Sequence, residues 1–256
     1  MIDTAQPIVV RVPGMDSVNV QRNLDYGSGD QSLRMDVYRP LGVGPWPVVV
    51  FVHGEGEPDL LRQAKDWGQY TSWGRLAAAR GMVAVTFSHR SWEGLTAVSR
   101  KLADVEAAVR FVRAHGRSWG ADPSRLAVWS CSAGVPVGLS TAMRWAATCA
   151  VAYYGPMDVR PYGREPVLSE VSPLALLEEG IPLPPLFVGR AALDDEQLNA
   201  SIDGFVNLAW EQGLDVELMD HGEGHHAFDL VDDDARTREI IEGTLDFLAR
   251  HLAPEQ

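Results

Sequence analysis

Cys131 and Cys149 are the only cysteines in the 256-residue chain, too few for a disulfide framework to carry the fold. They flank a predicted helix, which holds them too far apart for an easy bridge. Basic residues are also scarce. The chain has 22 Lys and Arg against 35 Asp and Glu, a formal net charge of -13. A surface that acidic repels phosphate backbones and anionic lipid, so nucleic-acid and membrane partners are not expected. No apolar run approaches the roughly 18 residues that a membrane-spanning helix needs. The stretch Met1-Ile2-Asp3-Thr4-Ala5-Gln6-Pro7 lacks the basic and apolar regions of a secretory leader, so a reduced, cytoplasmic protein is expected. Internal repeats and low-complexity tracts are absent as well. What remains, 46% hydrophobic and 22% charged residues, is an ordinary globular balance in a chain long enough to bury a large core.

The apolar pattern supplies the elements. Residues 18–26 and 33–38 alternate as two strands, with Gly27-Ser28-Gly29-Asp30 as the turn between them. The unbroken β-branched run 47–52 reads as a strand buried on both faces of a parallel sheet. Further strands are expected at 82–87, 126–129, 149–153, 186–188 and 216–219. Helical spacing predicts 71–80, 98–115, 135–147, 199–212 and 232–252, the clearest being 98–115 with Leu102, Val105, Ala108, Val109 and Val112 on one face. Strands alternating with helices argue for an α/β fold, one mostly parallel sheet covered on both faces, in a single domain spanning 1–256. The proline-rich stretch 155–185, with a short helical piece at 174–179, reads as a lid-like excursion over one edge.

Four segments that follow strands carry candidate chemistry. Leu126-Ala127-Val128-Trp129-Ser130-Cys131-Ser132-Ala133-Gly134 runs from strand through small residues into a helix, the setting in which a serine is thrust out of a sheet as a nucleophile. The bland alternative is a helix N-cap at Ser132, worth about 1 kcal/mol. A serine needs a base, and His221-Gly222-Glu223-Gly224-His225-His226 offers several in a glycine-rich loop. These histidines with Asp220 and Glu223 lack the common helical zinc spacings, so no metal is expected. Asp194 and Asp195 lie at the same sheet edge, where a carboxylate can fix the base's tautomer; an acidic pair before a helix also complements its dipole. His53-Gly54-Glu55-Gly56 ends the first buried strand, and its glycines allow backbone amides to converge on a developing oxyanion.

The order of these segments, an oxyanion-type turn, then Ser, Asp and His, resembles the α/β-hydrolase superfamily, within it the esterase and lipase branch with an HGGG-type turn. Asp122-Pro123-Ser124-Arg125-Leu126-Ala127-Val128-Trp129, Tyr153-Tyr154-Gly155-Pro156-Met157-Asp158 and His226-Ala227-Phe228 are similar to phrases of that family, and the resemblance runs from about Leu33 onward. It implies a twisted sheet of about eight strands and a small lid, with Ser132 as nucleophile, Asp194 as acid and His226 as base. It also implies the amides of Glu55, Gly56 and Ala133 as oxyanion donors. Two positions depart from the pattern: Ser130 replaces the first elbow glycine, and Glu55 replaces a glycine of the turn. The expected activity is hydrolysis of small to medium carboxylic esters through an acyl-enzyme, without cofactor, with Trp73 and Trp92 lining the substrate pocket. Peptide or lactone hydrolysis by the same residues, or a non-catalytic binding module on the same fold, are the alternatives.

Overall fold

The computed structural model describes residues 3–27, 33–91 and 95–254. Its eight strands are β1 (Asn19–Asp25), β2 (Arg34–Arg39), β3 (Trp46–Val52), β4 (Val83–Phe87), β5 (Ala121–Cys131), β6 (Cys149–Tyr153), β7 (Leu186–Ala191) and β8 (Val216–His221). They form one sheet in the order β1-β2-β4-β3-β5-β6-β7-β8. β2 runs antiparallel to both β1 and β4, and every pairing from β4 through β3 to β8 is parallel. The mostly parallel sheet expected from the alternation of elements is present.

Nine α-helices complete the chain: α1 (Pro58–Leu61), α2 (Gly68–Ala79), α3 (Leu95–His115), α4 (Val135–Arg144), α5 (Pro166–Glu170), α6 (Pro173–Glu178), α7 (Glu196–Glu211), α8 (Phe228–Val231) and α9 (Ala235–His251), counted among the described residues. The β3 run shows why both faces are covered, because successive side chains of a strand point to opposite sides. Val48, Val50 and Val52 enter one core with Val105, Val109 and Val112 of α3 and Phe205 of α7. Val49 and Phe51 enter the other with Trp73 of α2 and Phe247 and Leu248 of α9. No helix among the described residues is long and apolar enough to cross a membrane.

The differences from expectation are local. α1, α5 and α8 are single turns, too short to show a helical period. β5 starts at Ala121, well before its apolar run, because Trp46 of β3 pairs with Ala121 across a register shift. The expected turn at 27–30 falls largely on residues 28–32, outside the described residues. Within the 155–185 excursion, Leu168, Val171, Leu176 and Leu177 are buried in the core on the α3 side, so this segment is packed down on the helical layer.

Parallel strands place the chain segments that follow β3, β5, β7 and β8 at one edge of the sheet. These are the four segments singled out by their chemistry.

Candidate active site

Ser132 stands in the sharp turn between β5 and α4 with φ +53, a left-handed conformation that a residue with a Cβ adopts at a cost of about 1–3 kcal/mol. The surroundings enforce it. A Cβ at Gly134 would lie 2.4 Å from the His53 carbonyl oxygen, and one at Gly54 would lie 2.9 Å from the Ser132 Cβ. The turn after β3 and the elbow after β5 therefore touch through glycine.

Ser132 Oγ lies 2.8 Å from His226 Nε2, and His226 Nδ1 lies 2.6 Å from Asp194 Oδ2. With Nδ1–H donating to the carboxylate, Nε2 presents its lone pair to the hydroxyl. The neighbouring residues that the sequence left as alternatives are engaged elsewhere. Asp195 caps α7, accepting from the amides of Gln197 and Leu198. His225 is exposed, with Nδ1 2.9 Å from Asp232 Oδ1. His221 is buried, with Nε2 3.1 Å from Thr237 Oγ1. A different group, Asp215, Glu217 and His251, has the spacing of metal ligands among the described residues. Asp215 precedes β8, at the sheet edge opposite Ser132.

Behind His226 is a buried polar cluster that patterning did not reveal. Tyr154 meets the imidazole edge to face at 5.0 Å, and its hydroxyl donates to Asp229 Oδ1 at 2.6 Å. Asp229 Oδ2 accepts from Trp73 Nε1 and Gln69 Nε2, each at 2.9 Å. Burial pushes the Asp229 carboxyl above its ordinary range, and these donors pull it back. Trp73 is fully buried, with its ring 4.2 Å from Trp129. Contrary to the expected pocket role, Trp73 is not among the described residues that line the cavity and packs against Phe51 and Trp129 of the sheet. Trp92 lies outside the described residues.

The turn after β3 is held from several sides. His53 and His89 stack at 3.5 Å with an interplanar angle of 6°. Burial pushes the His53 pKa down to about 3, which keeps it neutral, so that Nδ1–H donates to the Gly54 carbonyl and Nε2 accepts from the His89 amide. The Gly54 amide donates to the Tyr70 hydroxyl. The amides of Glu55 and Gly56 donate to no other described residue. The Glu55 carboxylate is drawn to Lys101 Nζ at 2.7 Å and Ser91 Oγ at 3.1 Å. Lys101 is a functional candidate that the sequence reading passed over. A lysine three and four residues from apolar positions of the α3 stripe was its signal.

These groups border a cavity of about 220 Å³ lined by Gly54, Glu55, Gly56, Ser132 and His226, with apolar walls from Leu60, Trp67, Tyr70 and Leu230. Asp3, Thr4 and Gln6 also line it. This N-terminal segment is strapped across by Gly68 N–H to the Thr4 carbonyl, Gln6 Nε2 to the Leu230 carbonyl and Val9 N–H to the Asp229 carbonyl. The 155–185 excursion supplies none of the described residues that line this cavity, whereas the N-terminal segment supplies three.

The BD-FAE family model matches residues 35–164, half of the chain, from β2 through the elbow into the excursion. The chain belongs to the BD-FAE family. This BD-FAE member is 28% identical over 115 residues, 42% of its length, to gut esterase 1 of Caenorhabditis elegans. It is 29% identical over 124 residues, 48% of its length, to the probable isoprenylcysteine alpha-carbonyl methylesterase of Arabidopsis thaliana. The matches span 20% and 24% of those relatives' lengths. Among solved structures it is similar to Thermogutta terrifontis esterase 2, with a TM-score of 0.72 at 22% identity, over 95% of this chain and 98% of that one. That likeness shows that the BD-FAE chain has the α/β-hydrolase fold.

Proposed function

We propose that this protein is a serine carboxylesterase. The observation that carries the reading is the hydrogen-bonded line from Asp194 through His226 to Ser132. In the proposed reaction His226 Nε2 takes the Ser132 proton as Oγ bonds to the ester carbonyl carbon. The carbonyl oxygen becomes an oxyanion, stabilised by the amides of Glu55, Gly56 and Ala133. As the tetrahedral species collapses, the ester C–O bond breaks, and the imidazolium returns its proton to the departing alcohol. Water then attacks the acyl-enzyme with His226 again as base, releasing the acid. Asp194 accepts from His226 Nδ1 and stabilises the imidazolium. The esterase names of the relatives and structural neighbours support this class of reaction.

The cavity also argues for a substrate class. Its volume of about 220 Å³ is below the roughly 300–1,000 Å³ of pockets for drug-sized ligands, which favours short acyl and alkyl groups. Its lining among the described residues includes Asp3 and Glu57 but no Lys or Arg, which favours uncharged or cationic esters over anionic ones.

The test is covalent. A fluorophosphonate should add once, on Ser132, by intact mass and peptide mapping, and Ser132→Ala should lose at least about 10³-fold in p-nitrophenyl acetate hydrolysis. An adduct on another residue, or equal rates for the two proteins, would sink the reading.

A further inference from the structure

Two lysines occur in the whole sequence, Lys65 and Lys101, and both are buried in ion pairs. Lys65 joins Asp36 and Asp66 beside β2. Lys101 projects from the apolar stripe of α3 and none of its side chain is exposed. Its ammonium lies 2.7 Å from Glu55 Oε1 and 2.9 Å from the Ala133 carbonyl oxygen. Glu55 belongs to the turn after β3 and Ala133 to the elbow after β5, so one buried group joins the two loops on either side of Ser132.

Simple stabilisation is a poor account of this arrangement. A buried ion pair gains little over apolar side chains of the same volume, and apart from Asp104, which pairs with Arg90, the buried residues around Lys101 on α3 are apolar. The pairing has a chemical rationale instead. Glu55 puts a carboxylate beside the place where negative charge develops during the proposed reaction, and an unpaired charge there would oppose it. Lys101 neutralises that carboxylate and draws it away. The same ammonium holds Ala133 by its carbonyl, leaving the Ala133 N–H to the substrate side.

We infer that Lys101 is a positioning residue for the oxyanion site, tying Glu55 and Ala133 into one rigid donor array; this inference rests on the esterase reading above. Oxyanion donors act through preorganisation, and loss of one costs about 10²–10³-fold in kcat in comparable hydrolases. A misplaced array should cost less than a missing donor.

The experiment compares Lys101→Met with Lys65→Met, using p-nitrophenyl acetate kinetics and inhibition by a methyl trifluoromethyl ketone, whose serine adduct carries its oxyanion in the same site. Lys101→Met should lower kcat by about 10–100-fold, with KM within threefold, and weaken the ketone by the same factor. Lys65→Met should lower Tm and leave kcat alone. If Lys101→Met does not fold, the neutral pair Glu55→Gln/Lys101→Met, which buries no unpaired charge, should fold and still lose at least about tenfold. Wild-type kcat in any folded protein carrying Lys101→Met overturns the inference. Equal kcat losses in the two single lysine variants overturn it too, because general destabilisation would then explain both. A wild-type protein that neither takes a fluorophosphonate nor cleaves the ester overturns the esterase reading itself, whatever the lysine variants do.

Discussion

A Cβ added to Gly138 would fall 1.9 Å from the Ser130 Oγ. Ser130 sits on β5, between Val52 of β3 and Ala152 of β6, at the position where an elbow of this kind usually has glycine. Gly138 faces it from α4. The hydroxymethyl group on the strand is admitted by the missing side chain on the helix, so the small residue at this crossing has moved from one element to the other. The Ser130 hydroxyl has no hydrogen-bond partner among the described residues, and what it contributes to the crossing is volume.

Gly138→Ala should therefore lower stability by about 1–3 kcal/mol through overpacking, although alanine is the better helix former. Adding Ser130→Gly should recover most of that loss. Urea denaturation of the two single variants and the double variant tests the coupling. Strictly additive losses would show that the two side chains do not compete for space.

Asp194 and Asp195 are adjacent but should behave differently. Asp194→Asn removes the carboxylate that holds His226 and should lower kcat by about 10³-fold or more, with little change in Tm. Asp195→Ala removes the α7 cap and should cost about 1 kcal/mol of stability, with kcat within a few-fold of wild type. In the same way His226→Ala should abolish turnover, whereas His225→Ala should only weaken it. Steady-state kinetics beside thermal melts separates each pair, and a reversal within either pair would reassign the role.

The buried His53 gives stability a pH dependence with a definite sign. Its pKa falls from 6.5 to about 3 on folding, so the unfolded chain binds more protons between those values. The stabilisation is complete above pH 6.5 and is lost as pH falls toward about 3. The urea midpoint should drop through this window, and His53→Gln should flatten the drop. A midpoint independent of pH between 6.5 and 4 would mean that His53 and its stacked partner His89, which burial also pushes down, take up protons as readily in the fold as in the unfolded chain.

The N-terminal strap should set the upper size of the substrate. A Cβ at Gly68 would lie 2.3 Å from the Ala5 carbonyl oxygen, so Gly68→Ala should lift the strap off α2. The ratio of kcat/KM for p-nitrophenyl octanoate over acetate should rise in that variant. An unchanged ratio in the folded protein would show that the strap does not bound the cavity.

Residues such as Val48–Val52 and Cys149–Tyr153 were legible because a strand buried on both faces is written as one apolar run. The meeting of Ser132, Asp194 and His226 at one sheet edge followed from the order of segments after successive parallel strands. The choice of Asp194 and His226 over their neighbours came from the family resemblance and not from spacing, because it depends on what each neighbour binds: the α7 amides for Asp195, Asp232 for His225. Trp73 was misplaced because its hydrophobicity suits a cavity wall and a core equally. Only the buried Asp229, 156 residues away, decides which. The strap was illegible for a simpler reason: it adds no periodicity, and it is held by backbone hydrogen bonds with Gly68 of α2 and Asp229 of α8 and by the Gln6 side chain on Leu230.

Cys131 precedes Ser132 at the end of β5, almost wholly buried, and burial pushes its thiol far above the ordinary range. Cys149, paired in register with Ala127 of the same strand, is pushed up to about 12. Thiol reagents attack the thiolate, so both sulfurs are silent while the sheet is closed. The chain thus carries its own clock for the opening of the elbow strand. The rate at which a disulfide reagent consumes Cys131 counts excursions of that strand, and a ligand bound over Ser132 should slow the count.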